Sequence, residues 1–178
     1  DGEEDGLDSA TLRCAQVCEA SGAVEVVVAA DEKQRRNLWA TRRITSPSLR
    51  EAHRYKVSED ICIPRGVIPE MLRRVDQIGA RYGLTMATFG HAGDGNLHPT
   101  IIYAHGDDEA QQRALGAFND IVAIALRLGG TVTGEHGVGL IKRQFLAQEL
   151  DPVARSMHYA VKAALDPLGI LNPGKSLP

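Results

Sequence analysis

Apolar positions along the chain follow two periods, one helical and one alternating. After Pro69, which sits where a helix tolerates a missing N–H, Met71, Leu72, Val75 and Ile78 recur at helical spacing up to Gly83. A longer amphipathic helix is predicted over residues 107–128, stopped by Gly129-Gly130, with two more over 138–149 and 152–165. Nearer the N-terminus, Ser9 is the predicted cap of a helix ending near Glu19. Ala23–Ala30 reads as a buried strand because of its β-branched run, and Asp31 opens a helix to about Thr41. Residues 42–58 show no settled period, and 59–64 read as a short strand closed by Pro64-Arg65-Gly66. Leu84–Phe89 and Leu97–Tyr103 alternate like strands on either side of a glycine-rich turn, and Thr131–Thr133 is a further short strand. Strands and helices interleave without a Rossmann phosphate fingerprint. The expected fold is therefore α+β, a mostly antiparallel sheet covered by helices on one face, in one domain over residues 1–178.

Composition narrows the partners. The chain has 178 residues, 43% of them apolar, enough for a real core. Its 20 basic and 23 acidic side chains nearly balance, at a formal net charge of -3, and form no basic stripe, which argues against nucleic acid. No apolar run reaches the roughly 18 to 20 residues that span a bilayer, which leaves peripheral membrane association open. The opening DGEEDGLDS is acidic, unlike a signal peptide, and reads as the turn after a strand that is not present; the expectation is a chain that begins inside a fold. Cys14, Cys18 and Cys62 form no disulfide framework, which points to a reducing, cytoplasmic setting. Cys14 and Cys18, four apart on a predicted helix, are read as core packing rather than metal ligation.

The chemistry concentrates in two glycine-rich segments. In Phe89–Pro99, FGHAGDGNLHP, an Asp94-Gly95 two-residue hairpin turn would set Gly93 opposite Asn96 and His91 opposite His98. Opposed β-carbons lie about 4.5 to 5.5 Å apart, close enough for two imidazoles to share a divalent ion. Both histidines then share a face with Asn96 and Thr100, while Leu97 and Ile101 point the other way. Two incidental histidines beside a turn remain the plain alternative. In the second segment, GTVTGEHGVG, Glu135 and His136 are flanked by Gly134, Gly137 and Gly139, a tight turn that presents two polar side chains just ahead of a helix. Glu135 is a candidate third ligand, in a His2Glu set with an open coordination position. His136 is a candidate general base, since imidazole titrates near neutrality, or else an exposed histidine near the site.

HAGDGNLHP, TGEHGVGLIKRQFL and LDPLGILNPGKSLP, in this order, together with LWATRR and CIPRGVIPEML, resemble the C-terminal domain of the FAD-linked oxidases. That family includes the glycolate oxidase flavin subunit, D-lactate dehydrogenase and D-2-hydroxyglutarate dehydrogenase. The resemblance runs from about Asp31 to the end and implies a ferredoxin-like cap or substrate domain lying over a flavin carried elsewhere. It implies oxidation of a D-2-hydroxy acid to the 2-oxo acid, with the hydride passing to FAD. It assigns His91, His98 and Glu135 to a divalent metal, His136 to the base, and Arg42, in the Trp-x-x-Arg position, to a bidentate clamp on the substrate carboxylate. Lys56 falls where some members bind a second carboxylate, and is otherwise a surface lysine. Asn172, in NPGK, matches the C-terminal signature that returns to the flavin, and is otherwise a turn residue. The ligand types suit zinc, manganese or iron.

The sequence lacks the glycine-rich loops of a flavin-binding domain, so FAD is expected from an absent domain or a separate subunit, and this chain alone is expected to oxidise nothing. The electron acceptor is unspecified, and a homo-oligomer is admitted. Two other classes compete: a free-standing divalent-metal hydrolase using the same His2Glu set, and a binding module in which GDGN cradles an anion. Neither accounts for the NPGK tail or the Trp-x-x-Arg segment.

Overall fold

The computed structural model describes residues 3–52, 55–58, 60–104 and 106–177. The chain forms two compact units, Asp1–Ser48 and Leu49–Pro178. The first holds helix α1 (Glu4–Ala20) and the greater part of α2 (Glu32–Ala52). Ser9 does not cap α1. The helix starts at Glu4, and the Ser9 hydroxyl turns back onto the Gly6 carbonyl at 3.0 Å. Asp31 does open α2, accepting from the Gln34 amide at 2.7 Å. The helix then continues past Thr41 and through Pro47; an interior proline forfeits a backbone hydrogen bond, which is why residues 42–52 did not read as helix. Residues 23–30 are not a strand. Val24, Val27 and Val28 are exposed, because β-branched side chains suit a pleated surface but a strand also needs a partner to pair with. Cys14 and Cys18 are likewise exposed and not part of a core.

The second unit is built on an antiparallel sheet of β1 (Tyr55–Ser58), β2 (Ile61–Cys62), β3 (Thr85–His91) and β4 (Asn96–Tyr103). β4 is central. β3 pairs along one edge, and β1 and β2 share the other in one register, Ser58 opposite Thr100 and Ile61 opposite Leu97. All of β4 is buried, and its two faces differ in chemistry. Leu97, Ile101 and Tyr103 point into the apolar core, while Asn96, His98 and Thr100 are buried polar residues of the opposite parity.

Helices α3 (Ile68–Tyr82) and α4 (Asp108–Arg127) supply the rest of that core. α3 buries Met71, Val75, Ile78 and Gly79, an i, i+4, i+7, i+8 stripe, and ends at Gly83 in the left-handed conformation. Leu72 lies at the rim of that stripe and stays exposed. α4 is capped by Asp107, which accepts from the Ala110 amide at 2.8 Å. Its Ala110, Ala114 and Ala117 keep the inner face small, so that Phe118, Ile121 and Val122 fill the core beside α3. Two expected elements shorten. Thr131–Thr133 contributes one isolated bridge, Cys62 to Thr131, and the helix expected over 138–149 is only α5 (Arg143–Glu149). α6 (Pro152–Leu165) matches its expectation, with the Asp151 side chain capping Val153 and Ala154.

Ile121 has no solvent exposure. Ile121→Ala is expected to lower unfolding free energy by about 2–5 kcal/mol in urea titration, whereas Val24→Ala, on the exposed segment, should stay within about 0.5 kcal/mol.

Candidate active site

His91 and His98 stand on one face of the β3–β4 hairpin, as the alternation predicts, but in a different register. His91 pairs with Asn96, and His98 pairs with Phe89. The loop is longer by two residues than the Asp-Gly turn requires. The Gly95 amide closes onto the His91 carbonyl at 2.9 Å, and the Asp94 carboxylate accepts from the Asn96 amide at 3.0 Å. Gly95 has φ +82 and lies against the Ile63 backbone, whose amide donates to the Gly95 carbonyl at 3.0 Å, so a side chain there would collide with the chain beyond β2. A slip of two preserves parity. The histidines become diagonal neighbours with ring centroids 5.5 Å apart, near enough to act on one ligand.

Opposite this face lies the segment beginning at Thr133. Gly134 sits directly on the Asn96 side chain, where a β-carbon would overlap it. Glu135 Oε1 is 3.2 Å from His98 Nε2 and 3.8 Å from His91 Nε2. An ion held about 2.0 to 2.1 Å from two donors in tetrahedral geometry separates them by roughly 3.3 Å, so these spacings fit. Among the described residues, His91, His98 and Glu135 are the group that could hold a metal ion, their donor atoms lying within 4.8 Å of one another. His136 stacks on His98 with centroids 5.1 Å apart, and its Nε2 is 3.8 Å from the same Glu135 oxygen.

His98 is almost wholly buried, while His91, Glu135 and His136 are each about half exposed on their side chains. Burial, reinforced by the neighbouring His136, lowers the pKa of His98 against the opposing pull of Glu135. The imidazole therefore favours its neutral form, the form that ligates metals. Its Nδ1 and the Asn96 Oδ1 are buried with no hydrogen-bond partner among the described residues.

What organises the site is a residue that the sequence did not single out. Asp60, with no solvent exposure, accepts from Thr133 Oγ1 at 2.9 Å and from the backbone amides of Gly134 at 2.7 Å, of Glu135, and of His136 at 3.0 Å. The Lys142 ammonium, equally buried, donates to the Asp60 carboxylate and to its carbonyl at 2.7 Å. Burial by itself would raise the pKa of Asp60. The Lys142 ammonium and the Glu135 and His136 amides outweigh it and hold the carboxyl well below the usual carboxylate range. A charged residue directly ahead of the apolar run Ile61–Ile63 was the available clue, and Lys142 reads in sequence as an ordinary solvated lysine.

The remaining candidates separate. Asn172 adopts φ +48 and accepts from Lys175, at its carbonyl from the amide at 3.2 Å and at Oδ1 from the ammonium at 3.0 Å. This is the turn geometry of its plainer reading. It also lines a cleft of about 620 Å³ with Gly139, Tyr159 and Leu171. The tail after it is tied to the site segment, Ser176 donating to the Gly139 carbonyl and Arg143 to the Gly174 carbonyl, both at 2.7 Å. Arg42 lies on α2, in the first unit, and is partly buried. Lys56 pairs with Ile102 through the β1 backbone; its side chain lies outside the described part of the structure.

Removing Lys142 alone would strand a buried carboxylate. Lys142→Met is expected to cost about 3–5 kcal/mol of stability in chemical denaturation, while the same change at exposed Lys175 should stay within about 0.5 kcal/mol.

Comparison with known proteins sets this geometry in context. Glycolate oxidase subunit GlcD of Bacillus subtilis (strain 168) is 40% identical over 159 residues, 89% of this chain and 34% of that protein. D-lactate dehydrogenase of Archaeoglobus fulgidus is 34% identical over 165 residues, 90% of this chain and 35% of that protein. D-2-hydroxyglutarate dehydrogenase of Stutzerimonas stutzeri (strain A1501) is 32% identical over 176 residues, 97% and 38% respectively. The chain spans about a third of the length of these relatives, none of which is named as a hydrolase. The family model for FAD linked oxidases, C-terminal domain, matches residues 1–176, and the chain belongs to that family.

Proposed function

We propose that this chain is the substrate-facing part of a flavin-dependent dehydrogenase that oxidises a small D-2-hydroxy acid, of the glycolate or D-lactate kind, to the 2-oxo acid. The observation that carries the reading is the convergence of His91, His98, Glu135 and His136 on one point, in a chain of the FAD-linked oxidase family. The donor set fits a divalent ion by its spacing and by the neutral character of buried His98, with zinc, manganese or iron all compatible with imidazole and carboxylate. Held there, such an ion would supply Lewis acidity toward the substrate hydroxyl, and FAD from outside this chain would supply the electron acceptor.

The chain's own residues do the remaining work. His136, half-exposed and with Nε2 3.8 Å from Glu135 Oε1, takes the hydroxyl proton at that nitrogen. Its Nδ1 faces the Asp60 carboxylate at 3.8 Å, which places negative charge behind the imidazolium as it forms. His98, fixed on the central strand, supports the stacked His136 ring and limits its tilt. Arg42 enters on the resemblance of the segment Trp39 to Arg42, as the clamp that fixes the substrate carboxylate, and Lys56 as a second anion-binding group. Conversion of the hydroxyl to the 2-oxo group removes two electrons and two protons: the hydroxyl proton leaves through His136, and the hydrogen on the α-carbon, with the electron pair, would leave as a hydride to FAD.

In the complete enzyme, His98→Ala is expected to abolish tight zinc or manganese binding in a chelator competition. His136→Ala should retain the ion but lower the rate of flavin reduction by about 10²- to 10⁴-fold. Arg42→Met should act mainly on KM. Unchanged flavin reduction in both histidine variants would sink the proposal. The chain alone should show no turnover of D-lactate or glycolate.

A further inference from the structure

Glu135 and His136 are adjacent in sequence, and adjacent side chains on an extended backbone point to opposite sides. Here both reach the same point, Glu135 Oε1 lying 3.8 Å from His136 Nε2 and 3.2 Å from His98 Nε2. The backbone must therefore curl, and the curl has a visible cause. The consecutive amides of Gly134, Glu135 and His136 all point inward at one oxygen, Asp60 Oδ2. Three successive N–H groups turned to one side form the kind of concave nest that elsewhere binds a free anion; the anion here is a side chain of the same protein.

We infer that Asp60, braced by Lys142, is a positioning residue that bends the Gly134–His136 backbone so that a metal-ligating carboxylate and a proton-accepting imidazole face one substrate. The other oxygen, Oδ1, takes the Thr133 hydroxyl and the Lys142 ammonium, and Lys142 also holds the Asp60 carbonyl. Both ends of the segment from Thr133 to Lys142 thus converge on one residue. Neither Asp60 nor Lys142 is accessible to solvent, so water cannot take over their contacts without reopening the site. Asp60 keeps its register beside β4, since Ile61 pairs with Leu97 and Ser58 with Thr100. Asp60 touches neither substrate nor metal in this role; it acts through the two residues that do.

The inference rests on the proposed His2Glu site, and its test separates the two. In the complete flavoenzyme, Asp60→Asn keeps the shape of the side chain but removes its charge and one of its two acceptor oxygens. With circular dichroism and FAD content unchanged, zinc affinity measured against a chromophoric chelator should fall about 10- to 100-fold. At saturating zinc, kcat for flavin reduction should fall about tenfold or more, with a much smaller change in KM. A purely structural role would lower thermal stability and leave the affinity and kcat of the folded fraction alone. Should Asp60→Asn fail to fold, Thr133→Val removes only the hydroxyl contact to Oδ1 and is expected to weaken zinc binding about 2- to 10-fold. A folded variant indistinguishable from the unsubstituted enzyme in both zinc affinity and kcat overturns the positioning role. An unsubstituted enzyme that binds no zinc and reduces no flavin with any 2-hydroxy acid defeats the proposed function first, and this inference with it.

Discussion

The site depends on a carboxylate that never meets solvent. An ionised group inside a protein is tolerated only when hydrogen bonds and an opposite charge replace the water it gave up, and Asp60 obtains both from the segment that it organises. The arrangement is mutual. The amides of Gly134, Glu135 and His136 would lose their common acceptor without Asp60, and Asp60 would be an uncompensated charge without them and Lys142. Local turn, buried charge and site geometry are thus one constraint seen at three scales.

That constraint works because β4 offers it a fixed surface. With partners on both edges and every residue buried, β4 presents Leu97, Ile101 and Tyr103 to the helices and Asn96, His98 and Thr100 to the opposite side. The apolar side is the hydrophobic core of the second unit. The polar side is covered by Gly134, pressed on Asn96, and by the His136 ring, stacked on His98. One strand therefore joins the folding energetics of the unit to the placement of its most buried imidazole. At the other end of the segment, the C-terminal turn hangs from Gly139 and Arg143.

The sequence revealed those parts of this arrangement that rest on local periodicity. α3 and α4 were legible because each buries one face at the helical period, the β3–β4 pair because polar and apolar residues alternate along β4, and α6 from the helical spacing of its apolar positions, although it buries no residue. His91 and His98 were legible as a pair on one face, and Glu135 and His136 through the glycines around them. The hairpin register was not, because the close approach of Ile63 to Gly95, distant in sequence, decides where the turn closes. Nor were Asp60 and Lys142: the apolar run after Asp60 is the one local hint, and the groups that compensate its charge lie far along the chain. Residues 23–30 show the converse error, a segment with strand-like side chains and no described partner to make it a strand.

The two-residue slip in the β3–β4 register has a consequence for how such a hairpin can diverge. Adding or deleting a single residue between His91 and Asn96 would turn one histidine toward the helices and exchange polar for apolar across the strand. Adding or deleting a pair leaves the faces as they are and merely lengthens or trims the exposed turn. Length variation at this loop should therefore be quantised, with even steps compatible with two histidines facing one ligand and odd steps closed to any lineage that keeps the site.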